Sequence, residues 1–193
     1  MIPVPRPPEP DSFDARCRQP GNTWLANNPT SQKFPAYWIP FQPDLGAAFA
    51  WRCGWWAMWV TDGEVDHYLS KKNHRELAYE WRNYRFIAGT VNSSKLRHDN
   101  NVLDPYEVVQ GWFEILLPSL ELVITNNVPQ NFRAKAEFTL TKLKLDRGEK
   151  IRRVRRKYYE RYKQDGNLNG LRHDAPLIAD AVQKCLNNGR PLP

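Results

Sequence analysis

Short apolar runs alternate with polar, turn-forming residues in the central part of the chain. Residues 64–69 predict a strand whose end opens into a polar loop at residues 70–75. A short helical turn from Leu77 and a second strand near residues 84–87 are predicted to follow. The two strands are expected to face each other as a hairpin across the loop.

Helical elements are predicted on both sides of this hairpin. Gly89 marks the turn after the second strand, and Asn92 or Ser93 is a natural N-cap for a short helix. Upstream, residues 45–59 are dense in aromatic and small residues, which predicts a short helix running into a buried strand. That strand is expected to end at the turn of residues 61–63. From residue 64 onward, the predicted order of the central elements is therefore strand, loop, strand and helix.

The two flanks of the central segment differ in composition. Residues 1 to 45 are rich in Pro, Asn and Gln, which disfavours long helices and predicts an extended arm on the surface. Downstream, two apolar runs on either side of Pro118 and Ser119 resemble a second hairpin. Apolar spacing then predicts three helices, at residues 131–145, 147–163 and 175–186.

These elements predict an α+β fold with an extended N-terminal arm and a helical C-terminal part. We divide the chain into a Pro-rich arm at residues 1–45, a core at residues 46–110, and a hairpin with a basic helical extension at residues 111–193. The apolar fraction of 41% is ample for a packed core. We therefore expect one compact domain rather than a disordered chain.

The charge of the chain favours a polyanionic partner. Lys and Arg total 28 against 21 acidic residues, which gives a formal net charge of +7. Basic side chains that neutralise phosphates release counterions, and this release favours binding to nucleic acid. A basic protein without such a partner is the alternative that composition leaves open.

Targeting and redox features favour a cytoplasmic setting. No window holds 18 uninterrupted apolar residues, so no membrane span is expected. The first ten residues lack the charged and apolar regions of a signal peptide. Cys17, Cys53 and Cys185 are odd in number and far apart, which predicts neither a disulfide framework nor a CxxC zinc knuckle.

Five polar residues of the predicted hairpin and helix are of the types that phosphodiester cleavage uses. They are Asp66, His67, Asn83, Asn92 and Lys95. Cleavage of a phosphodiester needs a base that takes a proton from water near neutral pH, and a divalent cation that neutralises the phosphate. A neutral imidazole suits the first task, and carboxylate and amide oxygens suit Mg²⁺ or Mn²⁺.

Each of these residues has an expected role. Asp66 and His67 are adjacent, so their side chains point to opposite faces of a strand, and at the strand end one reaches a metal and the other a water. Asn92 is expected to supply the second metal ligand. Asn83 is better placed to brace the loop and His67 through hydrogen bonds to the backbone. Lys95, one turn into the helix, is expected to contact the phosphate.

The set Asp-His, Asn and Asn-x-x-Lys resembles the motif of HNH endonucleases in its DH–N–N form. The resemblance implies a ββα-metal core, with Asp66 and Asn92 as metal ligands, His67 as general base and Asn83 as the structural Asn. Residues 65–69, 77–84 and 91–95 also resemble a subgroup of bacterial HNH proteins that is often linked to anti-phage defence, in some cases alongside an ATPase. The likeness covers roughly residues 50–105.

The chain departs from the HNH pattern at the positions of the zinc-binding cysteine pairs. Many HNH proteins hold the core with two CxxC pairs, whereas this chain has Cys53-Gly54-Trp55-Trp56 at the first place and no cysteine at the second. A structural zinc is therefore not expected. Trp55 and Trp56 are expected to supply the missing stability by apolar burial.

Further basic residues are candidates for nucleic-acid contact. Arg82 and Arg85 flank Asn83, and Arg85 is expected either to bind phosphate on the site side or to pair with Glu80 or Asp66. The predicted helix at residues 147–163 carries Arg152, Arg153, Arg155 and Arg156 off its apolar stripe. These four either track a nucleic-acid backbone or form a solvated helix face.

Three functions stay open at this point. The first is a Mg²⁺- or Mn²⁺-dependent endonuclease acting on DNA, the second is a catalytically silent nucleic-acid-binding or scaffold module of a defence complex, and the third is a nuclease acting on RNA. His98, six residues after Asn92, is an alternative metal ligand if it is not a surface residue.

Overall fold

The computed structural model describes residues 1–95 and 98–193, and for residues 92–94 it describes the backbone and not the side chains. The described chain contains two antiparallel two-stranded sheets and helices distributed along its length. This confirms the predicted α+β class. Within those residues, no helix combines the length and the apolar character needed to cross a membrane.

The central hairpin is formed by β1 (Gly63–His67) and β2 (Tyr84–Ala88). The strands pair antiparallel, with Asp66 opposite Arg85 and His67 opposite Tyr84. Helix α3 (Gly89–Lys95) follows β2 without a break and contacts both strands. The predicted order of strand, loop, strand and helix is therefore confirmed.

Helix α3 begins earlier than the sequence predicts. It starts at Gly89, directly after β2, so Asn92 and Ser93 lie inside the helix rather than at its N-cap. Between the strands, the chain makes two 3-10 turns, Arg75–Leu77 and Trp81–Asn83.

The N-terminal arm is partly helical, and the prediction of a fully extended arm is wrong. A π-helical turn (Asp14–Arg18) leads into α1 (Gln19–Asn27), and α2 (Gln42–Ala48) follows. Pro20 lies at the start of α1, directly after the π-helical turn. A proline-rich composition therefore did not exclude a helix here.

The arm packs against the central hairpin through a cluster of aromatic side chains. Phe13, Trp38 and Phe41 of the arm belong to one buried cluster with Tyr84 and Phe86 of β2. A fully buried side chain of this size contributes about 1.5–3 kcal/mol relative to an exposed one. The arm therefore packs against one side of the hairpin as part of the same core.

The segment after α2 does not form the predicted strand. It runs through turns with one isolated bridge, between Arg52 and Trp59. Trp55 is fully buried there, and its indole N–H donates to the carbonyl of Leu103 at 3.0 Å. The expected packing role of Trp55 is confirmed, while Trp56 is only half-buried.

The C-terminal part is a hairpin followed by helices. Strands β3 (Phe113–Leu116) and β4 (Glu121–Ile124) pair antiparallel around Pro118 and Ser119, as predicted. The three predicted helices correspond to the helices α4, α5 and α7, and a further short helix, α6, lies between the last two. Their bounds are α4 (Gln130–Lys142), α5 (Glu149–Asp165), α6 (Leu168–Asp174) and α7 (Pro176–Asn187).

Strand β2 is buried along its whole length because it lies between two cores. Tyr84 and Phe86 belong to the arm cluster, whereas Ile87 belongs to a larger cluster with Trp55 and residues of the C-terminal helices. Successive side chains of a strand point to opposite faces, which allows one strand to serve both cores. The partner strand of β1 is consequently packed on both of its faces.

Candidate functional site

The structure brings four of the predicted site residues together at the loop end of the central hairpin. Asp66 and His67 end β1, Asn83 precedes β2, and Lys95 ends α3. All four side chains are buried. Asn92 belongs to α3, but its side chain lies outside the described part of the structure.

Lys95 is fully buried and forms an ion pair with Asp66. Its Nζ lies 3.0 Å from Asp66 Oδ2 and donates to Oδ1 at 3.3 Å. It also donates to the carbonyls of His67 and Tyr68, each at 2.9 Å. An ammonium has three protons, and these three acceptors use them all. The predicted contact of Lys95 with a substrate phosphate is therefore wrong for this structure, since Lys95 serves as an internal counter-ion.

The carboxylate of Asp66 retains unused acceptor capacity. Its Oδ2 is buried, and in the described ranges it has the ionic contact with Lys95 but accepts no hydrogen bond. Burial raises the pKa of Asp66, and the charges of Lys95, Arg85 and Lys71 oppose that rise. A carboxylate in this setting gains from any additional cation or donor that reaches it.

His67 is held as a neutral imidazole of defined tautomer. Its Nε2 lies 2.8 Å from the carbonyl oxygen of Ala78, and because that oxygen only accepts, Nε2 carries the proton and donates. The unprotonated nitrogen is therefore Nδ1. Burial, followed by the charges of Lys71 and Lys95, lowers the pKa of His67 to about 3, so the ring is uncharged at neutral pH.

Aromatic rings hold the plane of the His67 side chain. The ring of Trp38 stands edge to face with it at a centroid distance of 4.7 Å, and that of Tyr84 does so at 5.0 Å. Trp38 comes from the arm and Tyr84 from β2. His67 thus lies on the arm side of the hairpin, while Asp66 faces Lys95 of α3, as the predicted opposite faces of the strand require.

Asn83 braces the loop that follows His67. Its amide donates to the carbonyls of Leu69 and Leu77 at 2.9 and 3.1 Å, and its Oδ1 accepts from the N–H of Leu69 at 2.8 Å. Its backbone carbonyl accepts from Tyr68, the residue after His67. The bracing role predicted for Asn83 through side-chain to backbone hydrogen bonds is seen in these contacts.

Arg85 does not bind at the site side, nor does it pair with Glu80 or Asp66 as the sequence predicts. Its guanidinium makes a bidentate ion pair with Asp104, with Nε and Nη2 each 2.6 Å from a carboxylate oxygen. The group is buried and lies 3.9 Å from the ring centroid of Tyr106. Two desolvated charges at this distance satisfy each other, so Arg85 has a structural role.

The basic residues of α5 separate into two groups. Arg155 is buried and donates to the carbonyls of Leu120, Leu145 and Asp146, so its predicted nucleic-acid contact is wrong. Burial lowers the pKa of Arg155 to about 10. The remaining candidates are accessible to different degrees: Arg82, Arg153 and Arg156 are exposed, and Arg152 is half-buried.

The structure adds Lys71 and Trp38 to the residues that the sequence predicts at the site. Lys71 is half-buried, and its Nζ lies 4.3 Å from the ring centroid of Trp38, the same ring that packs on His67. The clue available in the sequence was the position of Lys71 in the polar loop four residues after His67. Nothing in the local pattern indicated that Trp38, far upstream, would meet it.

Other predicted or conceivable ligand sites lie apart from this arrangement. His98 packs its ring on Phe138 at a centroid distance of 5.7 Å. Among the side chains that the structure describes, no three or more His, Cys, Asp or Glu converge as a metal-binding group. A cavity of about 240 Å³ lies between the second hairpin and α7, with Glu114, Asp180 and Lys184 in its lining.

Comparisons of the chain with models of known protein families, with curated proteins and with solved structures find no match. The functional assignment therefore depends on the residues of the site.

Proposed function

We propose that the chain is a metal-dependent endonuclease of the HNH, or ββα-metal, class that hydrolyses phosphodiester bonds in DNA. The observation that carries this proposal is the end of β1, where a neutral His67 of fixed tautomer follows a buried Asp66 in a strand, loop, strand and helix arrangement. The motif spacing supplies the family resemblance, and the geometry is compatible with the chemistry.

His67 acts as the general base. With Nε2 donating to Ala78, the lone pair of Nδ1 accepts a proton from the water that attacks phosphorus in line with the leaving oxygen. Burial and, after it, the nearby charges of Lys71 and Lys95 hold the pKa of His67 low in the free protein. A bound phosphate carries the opposite charge, so it offsets these cations and increases the basicity of the ring when substrate is present.

We propose a divalent cation at Asp66, since hard oxygen ligands suit Mg²⁺ or Mn²⁺. The carboxylate oxygen Oδ2 is buried and accepts no hydrogen bond among the described residues, but the ammonium of Lys95 lies 3.0 Å from it, so the cation would have to displace that contact. Asp66 and Asn92 would hold the ion. When bound, it neutralises charge on the phosphate and on the leaving oxygen. Lys95 balances the same carboxylate in the present structure.

The substrate class follows from charge. The chain carries a net charge of +7, and Arg82, Arg153 and Arg156 are exposed for contacts with a phosphate backbone. We propose DNA as substrate with a 5′ phosphate as product, and RNA as the alternative. The likeness of the motif to defence-associated HNH proteins leads us to propose a role in anti-phage defence, with an ATPase as one candidate partner.

A second function is favoured by the ion pair between Asp66 and Lys95. An internal ammonium that occupies the carboxylate makes metal binding competitive, and a chain in which the ammonium stays would bind nucleic acid without hydrolysing it. This second candidate is a catalytically silent module with the same fold.

A cleavage assay decides between the two. Supercoiled plasmid, and in parallel RNA, is incubated with wild type, His67→Ala and His173→Ala, each with Mg²⁺, with Mn²⁺ and with a chelator. His173 is 67% exposed on α6 and provides a matched histidine control. We expect cleavage by wild type and His173→Ala with metal only, and a loss of at least about a hundredfold in His67→Ala. If wild type and His67→Ala leave both substrates equally intact, the nuclease proposal is refuted, and binding without cleavage would favour the silent module. Equal cleavage by both proteins would refute His67 as the base.

A further inference from the structure

The ammonium of Lys71, near His67, has different surroundings from the charged groups of Lys95 and Arg85. Lys71 belongs to the loop after β1, and its ammonium lies over Trp38 at 4.3 Å from the ring centroid. The Trp38 ring also packs edge to face on the His67 ring, at a centroid distance of 4.7 Å. Trp38 therefore contacts both Lys71 and the proposed base. A second ring of the arm, Phe34, lies 5.7 Å from the same ammonium.

The charge of Lys71 acts on the pKa values of both Asp66 and His67. Its charge is one of the causes that lower the pKa of His67, and it also acts on the pKa of Asp66. Burial lowers the pKa of Lys71 itself, and the charge of Asp66 opposes that effect. The ammonium is therefore partly desolvated and only partly compensated by the carboxylate.

Lys71 also differs from the two neighbouring basic residues in its partners. Lys95 is paired with Asp66, and Arg85 is paired with Asp104. Lys71 has no ion pair and no hydrogen bond to an acceptor within residues 1–95 and 98–193 as described. Its three protons are thus available to an anion that enters from outside.

Contacts with the arm fix the position of the loop that carries Lys71, next to its aromatic neighbours Trp38 and Phe34. Arg75, four residues further along the loop, donates to the backbone carbonyls of Ser31 and Asn28. Its guanidinium also lies 5.0 Å from the ring centroid of Phe34. These contacts fasten the loop to the arm, so the position of Lys71 beside His67 is built into the fold.

We propose that Lys71 binds a phosphate of the nucleic-acid substrate beside His67, the role that the sequence predicts for Lys95. An ammonium on an aromatic face, half-buried and lacking a carboxylate partner, is suited to an oxyanion. Trp38 contacts both the ammonium and the imidazole, so a phosphate bound by Lys71 would be held on the same side of the hairpin as His67. The inference rests on the proposed function in one respect, namely that the ligand is a phosphodiester.

The test uses binding in a background that cannot cleave. His67→Ala is combined with Lys71→Met, Lys71→Arg or Lys72→Met, and the dissociation constant for a labelled duplex is measured by fluorescence anisotropy over a range of salt. Lys72 is the exposed neighbour and serves as the matched charge control. Methionine retains the apolar stem of lysine, which preserves most of the packing on Trp38.

Removal of one phosphate contact has a defined signature. The slope of log K against log salt becomes shallower by about 0.9, which corresponds to an affinity loss of about eightfold at about 0.1 M salt. We expect this change for Lys71→Met and not for Lys72→Met, with Lys71→Arg retaining the wild-type slope. Far-UV circular dichroism of each variant checks that the fold is intact, so that a shallower salt slope in Lys71→Met reports a lost phosphate contact and not unfolding.

Two outcomes overturn the inference, and they are distinct from failure of the nuclease. If Lys71→Met keeps the affinity and slope of its parent, or if Lys72→Met loses as much, Lys71 is an ordinary surface cation. If wild type fails to cleave but Lys71→Met still changes the slope, the binding role stands and the enzymatic proposal falls.

Discussion

Replacement of Lys95 by methionine tests the buried ion pair directly. Lys95 has no exposed surface, and its ammonium contacts the carboxylate of Asp66 and the carbonyls of His67 and Tyr68. Methionine fills a similar volume without a charge. The substitution therefore leaves a buried carboxylate without its counter-ion and removes the donor from two backbone carbonyls.

The expected magnitude depends on the group that loses its partner. Removal of one partner of a buried ion pair costs about 3–5 kcal/mol, mainly because the remaining charge stays desolvated. Asp66 can avoid this cost by taking up a proton. Burial already raises its pKa, and loss of Lys95 removes the largest opposing charge, so the pKa of Asp66 rises further in the variant. A carboxyl whose pKa is higher in the folded than in the unfolded state gains stability as the pH falls.

Urea unfolding followed by tryptophan fluorescence measures the effect at about pH 8 and at about pH 5.5, with a chelator present. We expect the Lys95→Met variant to lose about 3–5 kcal/mol of unfolding free energy at the higher pH and clearly less at the lower pH. Lys184→Met is the control, because Lys184 is 69% exposed and its ion pair with Glu114 lies on the surface. That substitution is expected to change the unfolding free energy by less than about 1 kcal/mol.

Two results would refute the reasoning. A loss in Lys95→Met no larger than in the control would show that the ammonium is not buried against Asp66. A large loss that is the same at both pH values would show that the cost comes from packing rather than from an unpaired carboxylate. Lys95→Met combined with Asp66→Asn separates these cases, since the double variant recovers stability only if the charge is responsible.

Two further substitutions test the site. Arg85→Met breaks the bidentate pair with Asp104 and should lower the unfolding free energy by about 3–5 kcal/mol in the same urea assay. The salt slope of DNA binding should stay unchanged. A shallower salt slope without a loss of stability would instead identify Arg85 as a phosphate ligand. The pKa of His67 is about 3 in the folded protein against an ordinary 6.5, so the unfolded chain takes up more protons between these values and stability falls as the pH drops through that window. Between about pH 8 and about pH 5, with a chelator, wild type should lose about 2 kcal/mol more than His67→Gln, and equal losses would mean that His67 is not buried as a neutral ring.

The parts of the fold that the sequence predicted are those set by local patterns. The β1–β2 hairpin, the β3–β4 hairpin and the helices α4, α5 and α7 each follow from apolar periodicity and turn residues within a short window. The arm was not predictable in this way. Its helix α1 begins around Pro20, and its fixed position depends on aromatic contacts with β2 far along the chain.

The candidate site shows the same division between local and long-range information. The bracing hydrogen bonds of Asn83 reach the adjoining loop and were predictable from position. The partners of Arg85 and Lys95 were not, because a sequence identifies a charge but not the carboxylate that will neutralise it. Asp104 lies between the buried residues Leu103 and Pro105, and an acid between two apolar residues is the one local signal of an internal ion pair that the sequence offers here.

If the proposed function holds, the charges around the end of β1 account for the attraction of a polyanion to a site that contains a buried carboxylate. Lys95 neutralises Asp66, and Arg85 is neutralised by a different carboxylate, so neither contributes a free positive charge. His67 is uncharged at neutral pH. Lys71 then sets the sign of the local potential, because in the described part of the chain no carboxylate pairs with it and it is more exposed than Asp66. On the proposed function, Lys71 would draw an approaching phosphate toward His67, and the pairing of Asp66 with Lys95 would keep the repulsion from the carboxylate small.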